Sequence, residues 1–171
     1  MLRKFGIIAV VSLLAVAFAA VPALAVTNFA NAPSGAHYAR GSAEPVCTLT
    51  GTTVSCTGTN IQGVGNTNAE VSLAVTSTFT GTCQNPGSKN KTVEPFTESE
   101  TNTTTVPLTS TRNGELRVPL TTATGTTTEE FEAAFTCPNP NWTDTVTSSD
   151  ISFLYTLTFA GFNQPAITIS G

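Results

Sequence analysis

Four cysteines, one histidine, one tryptophan and eleven acidic residues are the side chains here with chemistry to offer. The cysteines carry the clearest pattern. In the stretch Val46-Cys47-Thr48-Leu49-Thr50-Gly51-Thr52-Thr53-Val54-Ser55-Cys56, Gly51-Thr52 predicts a type II′ turn, with glycine at the position that needs a positive φ. The register then follows. Thr50 faces Thr53, Leu49 faces Val54, and Cys47 and Cys56 meet as a non-hydrogen-bonded pair, whose Cα atoms lie about 4.5 Å apart, within disulfide reach. Four cysteines allow three pairings. The hairpin favours Cys47–Cys56, which leaves Cys83–Cys137 to close a loop of about 55 residues.

The other reactive groups are sparse. His37 stands alone in a stretch without catalytic motif, so a Ser-His-Asp arrangement has nothing to build on, and no catalytic residue is assigned. One histidine and four oxidised cysteines cannot form a zinc cage. Glu129, Glu130 and Glu132, or Asp144 with Asp150, offer oxygen ligands for calcium, but no loop has the spacing of a calcium site; a solvated acidic face is the plainer reading, and no metal site is assigned. Trp142, five residues past Cys137, is a candidate ligand contact through sugar stacking, against the plainer role of covering the disulfide. The rows Thr76, Thr78, Thr80, Thr82 and Thr143, Thr145, Thr147 invite an ice-binding reading, although threonine is also the ordinary polar residue of a sheet.

These residues must be positioned by strands. Val71, Leu73, Val75, Ser77, Phe79, Gly81 and Cys83 share one parity, and hydroxyl residues and Ala74 fill the other, the period-two signature of a half-buried strand. Ile151, Phe153, Tyr155, Leu157 and Phe159 make the strongest apolar face in the chain. Phe131, Ala133, Phe135 and Cys137 read as another inward strand face, Phe96 to Thr105 as an edge strand, and Ala166 to Ser170 as a short last strand. Gly63 to Asn66 marks a turn, Pro86 to Lys91 a loop, and Thr121 to Thr128 a threonine-rich connector. Asn113-Gly114 predicts a hairpin into Glu115 to Leu120, where Pro119 cannot donate to a ladder and should lie at an edge or end the strand. No segment keeps a helical period. The fold class expected is all-β, an antiparallel two-sheet β-sandwich of immunoglobulin-like architecture with two disulfides.

Met1-Leu2-Arg3-Lys4, an uncharged run from Phe5 to Ala20 and the small-residue site Ala23-Leu24-Ala25 read as a signal peptide over 1–25, cleaved after Ala25. Residues 26–42, rich in Asn, Ala, Pro, Gly and Ser, read as a flexible lead-in, and 43–171 as a single domain. Without Arg3 and Lys4 the chain keeps five cations against eleven acids, a net charge of −6, which repels phosphate backbones and anionic membranes.

The hairpin cysteines, Gly65-Asn66, Cys83-Gln84-Asn85-Pro86-Gly87 and Cys137-Pro138-Asn139-Pro140-Asn141-Trp142 resemble a group of small secreted proteins of actinobacteria. That resemblance covers most of the chain after the leader and implies a bacterial exported protein; it carries over no activity and no site residue. A looser similarity, in size, acidity and the cross-hairpin bridge, is to the apoproteins that carry enediyne chromophores. The second bridge of that family closes a very short loop, unlike Cys83–Cys137. The function expected is therefore a secreted, extracellular, non-enzymatic β-sandwich that presents a surface to a protein or glycan at the cell envelope. The alternative is a carrier of a small apolar ligand between the sheets. Neither reading implies a cofactor, a nucleic-acid partner, or a membrane contact after leader removal.

Overall fold

A computed structural model describes residues 22–87 and 93–171, so most of the leader and the outer part of the Pro86–Lys91 loop lie outside the described residues. In chain order the strands are β1 (Pro22–Leu24), β2 (Val26–Thr27), β3 (His37–Tyr38), β4 (Val46–Thr50), β5 (Thr53–Cys56), β6 (Thr59–Gln62), β7 (Ala69–Gln84), β8 (Val93–Leu108), β9 (Leu116–Val118), β10 (Thr121–Thr124), β11 (Thr143–Phe159) and β12 (Ile167–Ser170). One helix, α1 (Thr128–Ala134), interrupts them between β10 and β11. The strands pair antiparallel in three sheets, ordered β1-β4-β5-β10, β2-β12-β11-β7-β8 and β3-β6-β9.

Two of those sheets are one layer in two pieces. Cys56 pairs with Thr121 and Thr59 with Val118, so the β5–β10 and β6–β9 ladders share a single register. That register sets Gly58 opposite Pro119, where the ladder stops because proline has no N–H to give. A side chain at Gly58 would strike the backbone of Val118, Pro119 and Leu120, so only glycine allows this approach. Both strands turn two consecutive residues outward here: Cys56 and Thr59 are buried with Thr57 and Gly58 exposed, as are Val118 and Thr121 with Pro119 and Leu120 exposed. The result is a sandwich-like body, the broken layer facing the five-stranded sheet across a core that includes Val54, Ile61, Leu73, Leu116, Tyr155, Leu157, Phe159 and Ile169.

Several elements stand where the sequence placed them. The Cys47–Cys56 hairpin has the expected register, with Leu49 opposite Val54 and Gly51 at φ 59°. The strand from Val71 to Cys83 is the middle of β7, and the apolar face from Ile151 to Phe159 lies along β11. The weakly alternating segment from Phe96 to Thr105 belongs to β8, at the edge of its sheet.

Three expectations need correction. Residues 26–42 are not a loose lead-in: β2 pairs with β12, β3 pairs with β6, and a 3-10 turn spans Phe29–Asn31. Phe29 packs edge-on against Tyr38 with centroids 5.2 Å apart, and Asn31 donates to the Pro165 carbonyl at 3.0 Å, so two aromatic anchors and one amide hold a stretch whose composition looked loose. Within the Thr121 to Thr128 connector, Thr121–Thr124 form β10 with Thr121 and Ala123 facing inward. The third correction concerns Phe131, Ala133 and Phe135, which are not a strand: Phe131 and Ala133 lie in α1, and Phe135 is its C-cap. The turn at Asn113-Gly114 does form, with Gly114 donating to the Thr111 carbonyl at 2.9 Å, but its flanking strands β8 and β9 enter different sheets.

Candidate functional site

The long strands β7, β8 and β11 outrun the opposite layer. Their inward residues beyond Ser77 carry a second, smaller core made of Phe79, Phe96, Phe131 and Phe135, with Cys83–Cys137 at its far end. The connection between the two cores passes at Gly125, whose N–H donates to the Thr52 carbonyl at 2.8 Å. Ser77, fully buried, donates its hydroxyl to the Thr126 carbonyl at 2.9 Å and fixes the chain as it leaves β10 for the helix.

Helix α1 is short and needs its cap. Thr127 accepts from the Glu130 N–H at 3.2 Å, while a Glu130 carboxylate oxygen accepts from the Thr127 N–H at 2.9 Å, a reciprocal capping box. These bonds to the charged form hold the Glu130 carboxyl below the usual carboxylate range, the backbone bond being the larger cause. Phe131 and Phe135, four residues apart, then lie on one side of the helix and its cap. Phe131 stacks on Phe79 with centroids 4.2 Å apart, and Phe135 packs at 4.4 Å from Phe96. Gly81 makes room for this: it sits opposite Phe96, and a Cβ there would come 2.5 Å from the Phe96 ring. The missing side chain lets the phenyl ring fold across the strand.

Between α1 and the free edge of β8 lies an open cleft of about 370 Å³, lined by Glu98, Ser99, Glu100, Phe131, Ala134, Phe135 and Thr136. Glu98 and Glu100 stand opposite Phe79 and Ser77 and so belong to the inward parity of β8. Nearer the main core, Asn102 donates to the Thr124 carbonyl at 3.0 Å, which brings β10 alongside. Beyond that contact, among the described residues, no strand pairs with the outer side of β8. Aromatic faces beside carboxylates, next to unpaired backbone groups, suit a cation carried on an extended segment.

The other candidates are dispersed. His37 is exposed on β3, its Nδ1 2.7 Å from the Gly35 carbonyl oxygen. Trp142 is half-buried after an Asx turn in which Asn141 donates to the Asn139 side chain at 3.1 Å, and it does not line the cleft. Asp144 stands opposite Cys83 and Asp150 opposite Thr78, on opposite faces of the sheet and separated by a bulge between Val146 and Ser148. Of the helix acids, Glu130 is committed to the cap. Among the described residues no group of three His, Cys, Asp or Glu is placed to hold a metal ion.

The threonine rows lie on the outer face of the sheet, but Thr147 falls in the bulge, and its hydroxyl donates to the Thr80 carbonyl at 3.0 Å. Thr76 bonds Thr101 at 2.8 Å and Thr78 bonds Ser99 at 2.9 Å, so several hydroxyls there are engaged with each other. Both disulfides form as expected, with Cα separations of 4.0 Å for Cys47–Cys56 and 5.8 Å for Cys83–Cys137, and fit an oxidising compartment. No helix among the described residues is long and apolar enough to cross a membrane. The cleft itself escaped the sequence reading, although Thr127-x-x-Glu130 followed by Phe131 and Phe135 is a helix-start signal. Comparison with protein-family models, curated proteins and solved structures finds no match.

Proposed function

We propose that this chain is a secreted, non-enzymatic binding module of the cell envelope, and that it grips a cationic, extended segment of an extracellular protein. One observation carries the reading: aromatic rings and the carboxylates of Glu98 and Glu100 line one cleft, beside a strand edge with unpaired backbone groups. Edge glutamates and Pro95 also deter indiscriminate strand pairing, which makes a complementary positive charge the condition for docking. The acidic balance of the chain would draw such a partner in at low ionic strength.

The test is an NMR titration with an octapeptide of alternating Lys and Val, and with its Glu-for-Lys counterpart. Shifts centred on Phe96–Glu100 and on Phe131–Thr136 are expected with the basic peptide alone, weakening in high salt and lost in a Glu98→Gln/Glu100→Gln double variant. Equal response to the acidic peptide, or no response in that region at millimolar peptide, removes the reading. Shifts confined to the surroundings of Trp142 with an oligosaccharide would point to a glycan instead.

The carrier alternative has one observation in its favour. Tyr155, wholly buried in the main core, has a hydroxyl with no hydrogen-bond partner. Native mass spectrometry of protein from its own host would show a retained small molecule if that hydroxyl belongs to a ligand site.

A further inference from the structure

The peptide bond expected to be cut on export lies between two paired strands, with the side chains of Leu24 and Val26 exposed and those of Ala23 and Ala25 turned inward. Pro22, Ala23 and Leu24 pair with Thr48, Cys47 and Val46, and two residues later Val26 and Thr27 pair with Thr168 and Ile167. Ala25–Val26 is therefore the point at which the chain crosses from one layer of the sandwich to the other, held by a ladder on each side. Ala23 and Ala25, the two small residues that mark the site, are partly buried against the main core. The Ala23 methyl lies 3.5 Å from where a Cβ on Gly171 would stand, so the backbone at Gly171 borders its seat.

The hairpin disulfide builds the other wall of that seat. Cys47 and Cys56 are a non-hydrogen-bonded pair, since Thr50–Thr53 closes the two-residue turn and the pattern alternates from there. The N–H and C=O of Cys47 point away from β5, toward Ala23. Without β1 those two groups have no ladder partner.

We propose that residues 22–25 serve two incompatible purposes: a recognition site for leader removal in the unfolded chain, and an edge strand with its crossover in the folded one. A peptidase needs this segment extended and free, and pairing on both sides denies it that. Folding closes the site. Cleavage before folding releases a domain with an open β4 edge at Cys47, whereas folding first preserves β1 and keeps the uncharged run Phe5 to Ala20 attached as a tether. The inference rests on reading residues 1–25 as a leader; it is independent of the cleft.

The test uses the full chain in detergent micelles with a bacterial leader peptidase. One sample is folded and oxidised; the other is transferred directly from denaturant and reductant. The unfolded sample should be cut between Ala25 and Val26, and the folded sample at least about tenfold more slowly, because cutting must wait for local opening. Amide exchange read on the folded full chain should show Cys47 protected. Equal cutting rates in the two samples, or a Cys47 amide exchanging as in an open chain, overturns the proposal. If the unfolded sample also stays intact at this bond, the leader reading itself is wrong, and the proposal falls with it.

Discussion

The ring of Phe131, on the helix, lies over the ring of Phe79, on the central strand, with centroids 4.2 Å apart and planes 16° from parallel. This stack joins the only α-helix among the described residues to the sheet, and its Phe131 ring lines the cleft. Phe131→Ala should cost about 3–5 kcal/mol, the usual loss for a buried phenylalanine. The helix should loosen before the main core, because Phe131 and Phe79 belong to the smaller aromatic core, which is separate from the main one. Chemical denaturation followed by NMR checks both points; uniform loss of signals across β4, β5 and α1 would contradict the separation.

The two disulfides should differ in weight. In the chain-entropy model the bridge across the loop between Cys83 and Cys137 contributes about 4 kcal/mol, against about 2.7 for the short hairpin bridge. Replacing each pair by alanine and comparing urea midpoints tests this ordering. A larger drop for the Cys47/Cys56 pair would show that its hairpin does more than shorten a loop.

Capping makes the helix pH-sensitive. The folded Glu130 carboxyl titrates below the unfolded value near 4.3, so its contribution is present above that value and fades as pH falls through the folded one. NMR should place the Glu130 midpoint below the ordinary glutamate range, with the α1 amides losing protection in the same interval. Thr127→Ala should cost about 1 kcal/mol and return the midpoint to ordinary values. A midpoint unchanged by that substitution would rule out the capping box as the cause.

Tyr155 offers a sharper discrimination. Burial, and secondarily the charge of Tyr38, push its hydroxyl pKa well above that of free tyrosine. The folded state therefore loses relative stability as pH rises past the unfolded value near 10. Because the hydroxyl is buried without a partner, Tyr155→Phe should be neutral or stabilising, by up to about 1–3 kcal/mol. Destabilisation of more than about 1 kcal/mol would mean that the oxygen holds a bound water or ligand.

Glycine 81 tests the local geometry of the cleft. Gly81→Ala would strike both the Thr145 carbonyl oxygen on β11 and the Phe96 ring, and should cost about 1–3 kcal/mol, as overpacking does. A crystal structure of the variant is expected to show both β11 and the Phe96 ring displaced; neither moved, with stability unchanged, would contradict the close approach.

Period-two alternation was enough to identify the middle of β7 and the apolar face of β11, because that signal is local and one face of each strand is buried. Turn chemistry and cysteine spacing set the hairpin register and favoured Cys47–Cys56 among three possible pairings, and the structure shows that bridge and its companion Cys83–Cys137. The tertiary structure decided what depends on distant partners. Phe131 and Phe135 fit a strand face or one side of a helix, and only the Thr127–Glu130 cap with the rings of Phe79 and Phe96 selects the helix. Parity changes at Gly58/Pro119 and at the Thr147 bulge are invisible to a fixed period, since each inserts a residue pair or a single residue that flips the face. Pro22–Leu24 and residues 26–42 look like leader and loose linker by composition, yet ladders from strands far along the chain hold them. Local chemistry sets which elements can form; where two assignments are locally equivalent, long-range packing chooses between them.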